Sequence, residues 1–263
     1  MSYPTYKLGK LPLNPRKLKL VPHLASAVDL LAIDWDELPE TVSCIVPGTE
    51  DWGNKDYGCC TCAGVFNGFK AIANRLGIPF NLTRADCLGL YSRVTGFNPE
   101  TGANDNGAEC IDVLNEVRKN GLTGDGNWKL LAFSQFDGTN PMLARWATWA
   151  TYGGYIGMSM PVCFQTQPVW KIPDTGTADG PGLAASWGDH ALWEEGDDLV
   201  GPTYKTWGED QKAQHQIRAP YVDEQYVLFP EFLKGVPGWK SPAGLDLDTL
   251  IACMAGLDAV RAG

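Results

Sequence analysis

Apolar residues recur at one spacing in the first half of the chain and at another in the second. In "CTCAGVFNGFKAIANRLG", Ala63, Phe66, Phe69, Ile72 and Ala73 fall three or four apart. That is the period of one helical face, so a helix is predicted from about Cys60 to Leu76, with Gly77 as its stop. The segment "NLTRADCLGLYSRVTG" predicts a second helix, capped by Asn81 or Thr83. In "ECIDVLNEVRKNGL", Ile111, Leu114 and Val117 form one stripe that ends at Gly121. A fourth helix begins near "NPMLARWATWATYGG".

Beyond residue 150 the period shortens. "YIGMSMPVCF" reads as a buried strand, "HALWEEGDDLVGPTYKTWGED" as strand, turn, strand, and "YVDEQYVLFP" as a further strand or a short helix. "LDLDTLIACMAGLDAVRAG" closes the chain as an amphipathic helix. Helices first and strands later predict an α+β fold with two segregated parts. The expected divisions are an extended arm and loop over 1–50, a mainly helical lobe over 51–150, and a mainly β lobe with a C-terminal helix over 151–263. "LPETVSCIVPGTEDWGNKDYG" is punctuated as the loop into the helical lobe.

The chain has 263 residues, 44% of them hydrophobic, enough for a core in one large domain or two lobes. No apolar run reaches membrane-spanning length, and the start lacks the apolar stretch of a signal peptide. A soluble protein that stays where it is made is expected. In that reducing setting the eight cysteines should be mostly buried small hydrophobes.

Charge is uneven. Residues 1–20 carry Lys7, Lys10, Arg16, Lys17 and Lys19 with no acid, and the net charge of −10 therefore leaves −15 for the remainder. So acidic a body argues against nucleic acid as the main partner. Pro4, Pro12 and Pro15 keep the basic segment extended. It is either a loose tail or an arm that docks on an acidic surface, its own or a neighbour's.

Chemistry concentrates in "GCCTC", where Cys59, Cys60 and Cys62 stand at a helix start. Zinc sites need spaced pairs. Here the cysteines are crowded, and His23, His190 and His215 form no pair, so neither a metal nor a cofactor is expected. The absence of C-x-x-C argues against redox chemistry. Inert core thiols and a nucleophile remain. A helix N-terminus favours a thiolate, and a nucleophile would need a histidine base and oxyanion donors. His23 and His215 read as surface residues.

The order of elements resembles the papain-like cysteine peptidases over most of the chain. The match runs through a cysteine opening a long helix, "TRADCLGLYS", "GANDNGAECIDVLNEVRKNGL", "PMLARWATWATYGGYIGMSM", "DHA" at 189–191 and "TWG" at 206–208. It is closer still to uncharacterised papain-like proteins of bacteriophages and actinobacteria, through "KLGKLP", "GNKDYGCC" and "YSRVTG".

The resemblance implies Cys60 as nucleophile and His190 as base. It implies Asn54, six residues before Cys60, as an oxyanion donor; Cys62 would look back to Asp56, an acceptor. Trp207 and Asp189 become walls of the site, and "GANDNG" lines the cleft. The position matching the family's histidine-orienting Asn is Lys205, whose ammonium has no acceptor. Thr206, Asp197 or Asp198 could orient the ring instead.

The implied function is a cysteine peptidase or amide hydrolase acting on a peptide or protein, encoded by a phage and found in the cytoplasm of the bacterial host or in the virion. The alternative is a catalytically silent structural protein of the virion, anchored to capsid or tail proteins through residues 1–20.

Overall fold

The computed structural model describes residues 6–24 and 35–248. Its spine is an eight-stranded sheet, β1 Val42–Ser43, β2 Leu130–Gln135, β3 Gly154–Met160, β4 Val169–Trp170, β5 Gly188–Asp197, β6 Pro202–Thr206, β7 Glu209–Ala213 and β8 Val222–Pro230. The strand order is β2-β8-β3-β5-β6-β7-β4, with β1 paired to β5. All pairings are antiparallel except β4 with β7. An α+β fold with a mainly antiparallel sheet is what the change of period implied.

A short helix α1 spans Pro15–Leu18, α2 Cys60–Arg75, α3 Arg84–Thr95, α4 Cys110–Asn120, α5 Pro141–Thr151 and α6 Arg218–Tyr221. The predicted stripes face inward: Phe66, Phe69 and Ile72 on α2, and Ile111, Leu114 and Val117 on α4, are buried. Thr83, not Asn81, caps α3. It forms a reciprocal capping box with Asp86, and Gly96 ends the helix in the left-handed region at φ 75°.

The long helix α2 lies directly on β3 and β5. A methyl group at Gly64 would come 2.7 Å from the Tyr155 ring, and one at Gly68 2.6 Å from Trp193. Two glycines four apart on one helical face let helix and sheet meet this closely. Apolar packing divides into two clusters. The larger surrounds α2, α3, α4 and α5; the smaller joins Ile156, Met158, Leu192, Tyr204, Trp207 and Tyr221.

Three expectations change. The strand β2 lies where no element was expected; its sequence "LLAFSQ" lacks alternation, and pairing with β8 defines it. The ambiguous "YVDEQYVLFP" is a strand, β8, because β3 and β2 flank it on both sides. His215 does not stand free at the surface: its Nε2 lies 3.0 Å from Asp197. Asp197 also pairs with Arg145 and with the fully buried Arg218, which bonds Glu194 at 2.6 Å. Most of the expected C-terminal helix, and Cys253, lie outside the described residues. The cysteines among the described residues are all free.

Candidate active site

The loop before α2 is wound tightly. Asn54 donates its backbone N–H to Asp51 at 2.8 Å, and Tyr57 donates to Gly53 at 3.0 Å. Asn54 is buried, and its side-chain oxygen has no hydrogen-bond partner among the described residues. Asp105, from the "GANDNG" loop, accepts from the Gly58 N–H at 2.8 Å and from the Tyr91 hydroxyl at 3.0 Å. That hydroxyl in turn accepts from the Gly107 N–H at 2.8 Å. The cleft-lining loop is thereby tied to the residues leading into Cys60.

Cys59 sits at the cap position of α2 with its Sγ toward the Trp52 carbonyl, 3.8 Å away. Cys60 is the first residue of the helix. The backbone N–H groups of Ala191 and Gly9 favour its thiolate, and burial opposes them. Ala191 follows His190 directly, so the helix start and the histidine segment of β5 abut.

His190 is completely buried. Its Nε2 lies 2.6 Å from the Thr206 Oγ1 on the adjacent strand β6, while its Nδ1 has no hydrogen-bond partner among the described residues. A hydroxyl can accept an imidazole N–H, and this assignment leaves the lone pair on Nδ1. Trp207 stacks on the ring, with centroids 4.3 Å apart and planes 15° from parallel.

The hairpin that delivers both residues is a two-residue turn, Trp207–Gly208, between partners Thr206 and Glu209. Both turn residues have positive φ, 49° and 75°, as a type I′ turn requires. A bulky residue in the left-handed region is an outlier. Here it holds the indole against the histidine.

Side chains alternate along β6, so Lys205 leaves the site. Its Nζ bonds Asp210 at 2.6 Å. Asp197 belongs to the Arg218 network, and Asp198 accepts from Lys212 at 2.9 Å. Of the four candidates to orient the ring, Thr206 is the one bonded to it. The Asp189 side chain has an unpaired buried oxygen, Oδ1, and its carbonyl lines the cleft.

The groove itself is filled. Residues 6–11 cross it, and their cations are met by the chain's own acids. Tyr6 stacks on the far face of the Trp207 neighbourhood at 4.5 Å, and the Trp207 indole donates to the Lys7 carbonyl at 3.3 Å. Gly9 accepts from the Ala108 N–H at 2.9 Å, Lys10 donates to the Asp189 carbonyl at 3.3 Å, and Leu11 donates to the Ala108 carbonyl at 2.9 Å. A methyl group at Gly9 would meet the Gly58 carbonyl oxygen at 1.9 Å, so no larger residue fits there. Further along, Lys17 bonds Asp112 at 2.7 Å and Glu109 at 3.0 Å. The basic segment is an arm docked on its own acidic surface.

The site is closed to solvent, which the sequence did not anticipate. Cys60 and His190 both have no exposed surface. Burial pushes the Cys60 thiol up to about 12, against the pull of the Ala191 and Gly9 N–H groups and the Lys10 cation. Burial also brings His190 down to about 3. In this closed arrangement each group is held neutral by its own burial, a thiol and an unprotonated imidazole, and neither is among the groups that shift the other.

Sequence reasoning missed Lys10, Asp223 and Glu224. The Lys10 ammonium lies 2.8 Å from Asp223 and 3.1 Å from Glu224, and its side chain is fully buried. The signal was present as "KLGKLP" and "VDEQ", but nothing in the sequence joined segments more than two hundred residues apart. Among the described residues, no group of His, Cys, Asp or Glu is arranged to hold a metal ion, and no helix is long and apolar enough to cross a membrane.

No protein-family model matches the chain, and no curated protein sequence does either. Solved structures do. Xylellain, a cysteine protease from Xylella fastidiosa, aligns with a TM-score of 0.60 at 14% identity, over 87% of this chain and 98% of that one. A procathepsin B from Trypanosoma congolense aligns with a TM-score of 0.52 at 10% identity, over 88% and 85%. The Carica candamarcensis cysteine protease CMS1MS2 aligns with a TM-score of 0.51 at 13% identity, over 73% and 99%. The fold is that of the papain-like cysteine proteases.

Proposed function

We propose that the chain is a papain-like cysteine peptidase or amide hydrolase, held closed at rest by residues 6–11. What supports this reading most is the fold, that of the papain-like cysteine proteases, with Cys60 opening the long helix and His190 engaged by Thr206 on the neighbouring strand.

Once the arm is displaced, water and substrate reach the pair. His190 Nδ1 takes the Cys60 proton, and Thr206 holds the ring while it is charged. The thiolate attacks an amide carbonyl carbon. The Cys60 backbone N–H and the Asn54 side-chain amide hold the resulting oxyanion, a contribution of ~10²–10³ in rate per donor. The C–N bond breaks, His190 returns the proton to the leaving amine, and water resolves the thioester.

The test is reaction of the full chain with iodoacetamide under conditions that loosen the arm, followed by peptide mapping. Selective modification of Cys60, with peptide hydrolysis that vanishes in Cys60→Ala, is the expected result. An unreactive Cys60 in a chain whose arm has demonstrably left would end the proposal.

The complete burial of Cys60 also favours a second reading, a catalytically silent body in a phage particle, in line with the "KLGKLP" resemblance. That reading requires co-purification with virions at fixed stoichiometry and no effect of Cys60→Ala on assembly.

A further inference from the structure

We propose that the open pocket between the loop after α2, the loop 121–129 and the turn after β8 is a carbohydrate site, taking an uncharged pyranose sugar of a glycan. It lies apart from the groove that residues 6–11 cross, and the inference does not depend on the reading of Cys60 as a nucleophile.

The pocket has a volume of about 550 Å³, within the range of about 300–1,000 Å³ usual for small-ligand sites. Its apolar lining is Ile78, Leu82, Trp128 and Phe232, each half-buried. The Trp128 indole is braced by rings set edge-on to it, Phe80, Phe232 and Phe69, with centroids 5.0, 5.6 and 6.4 Å away. A ring held in this way loses little freedom when a ligand covers it. The face of an aromatic ring carries partial negative charge. The C–H face of a pyranose is that sugar's apolar, weakly positive side, and the two surfaces match.

The indole is held at a cost to the backbone. Trp128 has a φ of 55°, in the left-handed region where a bulky residue is an outlier. The loop enforces it. The Leu122 N–H donates to the Trp128 carbonyl at 3.3 Å, and the Gly126 N–H to the Asn120 carbonyl at 2.9 Å. The Arg93 guanidinium, from α3, donates to the Gly121 and Leu122 carbonyls at 3.0 and 2.8 Å. A methyl group at Gly121 would meet the Asn127 carbonyl oxygen at 1.9 Å, so only glycine permits this winding. Strain of this kind persists where the surroundings over-determine it, and it clusters at ligand sites.

The rim supplies the polar partners that a sugar requires. Asp125 accepts from the Thr123 hydroxyl, from the Asn127 backbone N–H at 3.0 Å and from the Asn127 side-chain amide at 2.8 Å. The Thr123 bond, with those from Asn127, holds the Asp125 carboxyl down at about 2, so it stays an ionised acceptor. The Asn127 amide commits one proton to Asp125 and keeps its oxygen and its second proton for a ligand. A carboxylate beside an amide can accept from one hydroxyl and donate to the next, the pattern that neighbouring sugar hydroxyls present. Charge narrows the class. Asp125, Glu231 and Lys129 set two carboxylates against one ammonium, an excess of one negative charge. That excess disfavours sulfated and uronic sugars. An apolar peptide would cover the rings but strip water from the Asp125–Asn127 edge without replacing it.

The experiment titrates the full chain calorimetrically with triacetylchitotriose, cellotriose and maltotriose. The peptide acetyl-Leu-Phe-Leu-amide serves as an apolar competitor. At least one trisaccharide should bind saturably, and the peptide should not displace it. Trp128→Leu keeps apolar volume and removes the indole; it should weaken that sugar about tenfold or more, as loss of a central aromatic anchor does. Asp125→Ala combined with Asn127→Ala leaves the ring cluster untouched and should also weaken it about tenfold. This exposed pair keeps the test decisive if Trp128→Leu does not fold. Absence of binding by all three sugars overturns the inference. So does sugar binding that the Asp125 and Asn127 substitutions leave unchanged, or a peptide that binds and displaces the sugar.

Discussion

The Nε2 of His190 and the Oγ1 of Thr206 stand 2.6 Å apart on neighbouring strands, both sealed from solvent. In the proposed mechanism this threonine takes the part of an orienting amide, one residue along from the position the family resemblance pointed to. Thr206→Val keeps the branched shape and removes the acceptor. An unpaired buried N–H costs about 1–3 kcal/mol, so stability in urea should fall by that amount. Thiol reactivity of Cys60 in an opened chain should fall with it. Lys205→Met should change neither by much, because the Lys205–Asp210 bond is half in solvent and is worth about 0.2–1 kcal/mol. Equal effects of the two substitutions would mean that Thr206 does not hold the ring.

Gly9 is the tightest point of the arm's passage, at 1.9 Å from a hypothetical methyl group to the Gly58 carbonyl oxygen. Both partners there are backbone, so neither can yield cheaply. Gly9→Ala should lift the arm while leaving the core intact. Iodoacetamide should then modify Cys60 at least ten times faster than in the unaltered chain, with little change in far-ultraviolet circular dichroism. An unchanged labelling rate would show that the arm is not what covers the thiol.

Acid should also open the arm, and the sign follows from Glu224. Burial raises its pKa, whereas Lys10 lowers it; the Tyr226 hydroxyl lowers it too and Asp223 raises it. Withdrawing Lys10 removes a lowering influence while admitted water relieves part of the burial; where loss of the cation is the larger of the two, Glu224 binds protons more tightly when the arm is out. Docking is therefore strongest at neutral pH and above, and weakens as pH falls through the Glu224 titration, above the ordinary glutamate range. Tryptophan fluorescence, taken as the difference between the chain and its Trp207→Phe variant, reports this, since Tyr6 stacks on Trp207 at 4.5 Å. The transition should disappear in Glu224→Gln. A signal that is flat with pH in the unaltered chain would rule the mechanism out.

How much of this was legible in the sequence depends on range. The helices α2, α3 and α4 were readable because their stripes, caps and terminal glycines are local. The strands β3, β5 and β6 were readable from their apolar character. The strand β2 was not, because "LLAFSQ" has no period of its own and is specified by β8, ninety residues on. At the site, motif order and spacing name Cys60, His190 and Thr206 as candidates. The choice of Thr206 over Lys205 needed the pleat, which decides which side chain faces β5. The Lys10–Asp223–Glu224 cluster was invisible, since it exists only once the arm has folded back across the groove.

His190 itself makes the sharpest pH prediction. Its ordinary pKa of 6.5 is brought down to about 3 by burial, so the folded chain keeps the imidazole neutral while the unfolded chain protonates it. The unfolded state then binds one more proton at any pH between those values, and stability falls as pH falls. The slope from this one group is about 1.4 kcal/mol per pH unit. His190→Gln retains a donor for Thr206 and removes the titration. Acid titration of the carboxylates is common to both chains and cancels in the comparison. Urea unfolding at pH 6.5 and pH 5 should therefore show the variant gaining about 2 kcal/mol relative to the parent. Installing Gly9→Ala in both chains should shrink that gain, because water admitted to the groove relieves the burial that depresses the pKa. A gain that is absent, or that survives opening of the arm undiminished, would mean that the arm is not what keeps His190 uncharged.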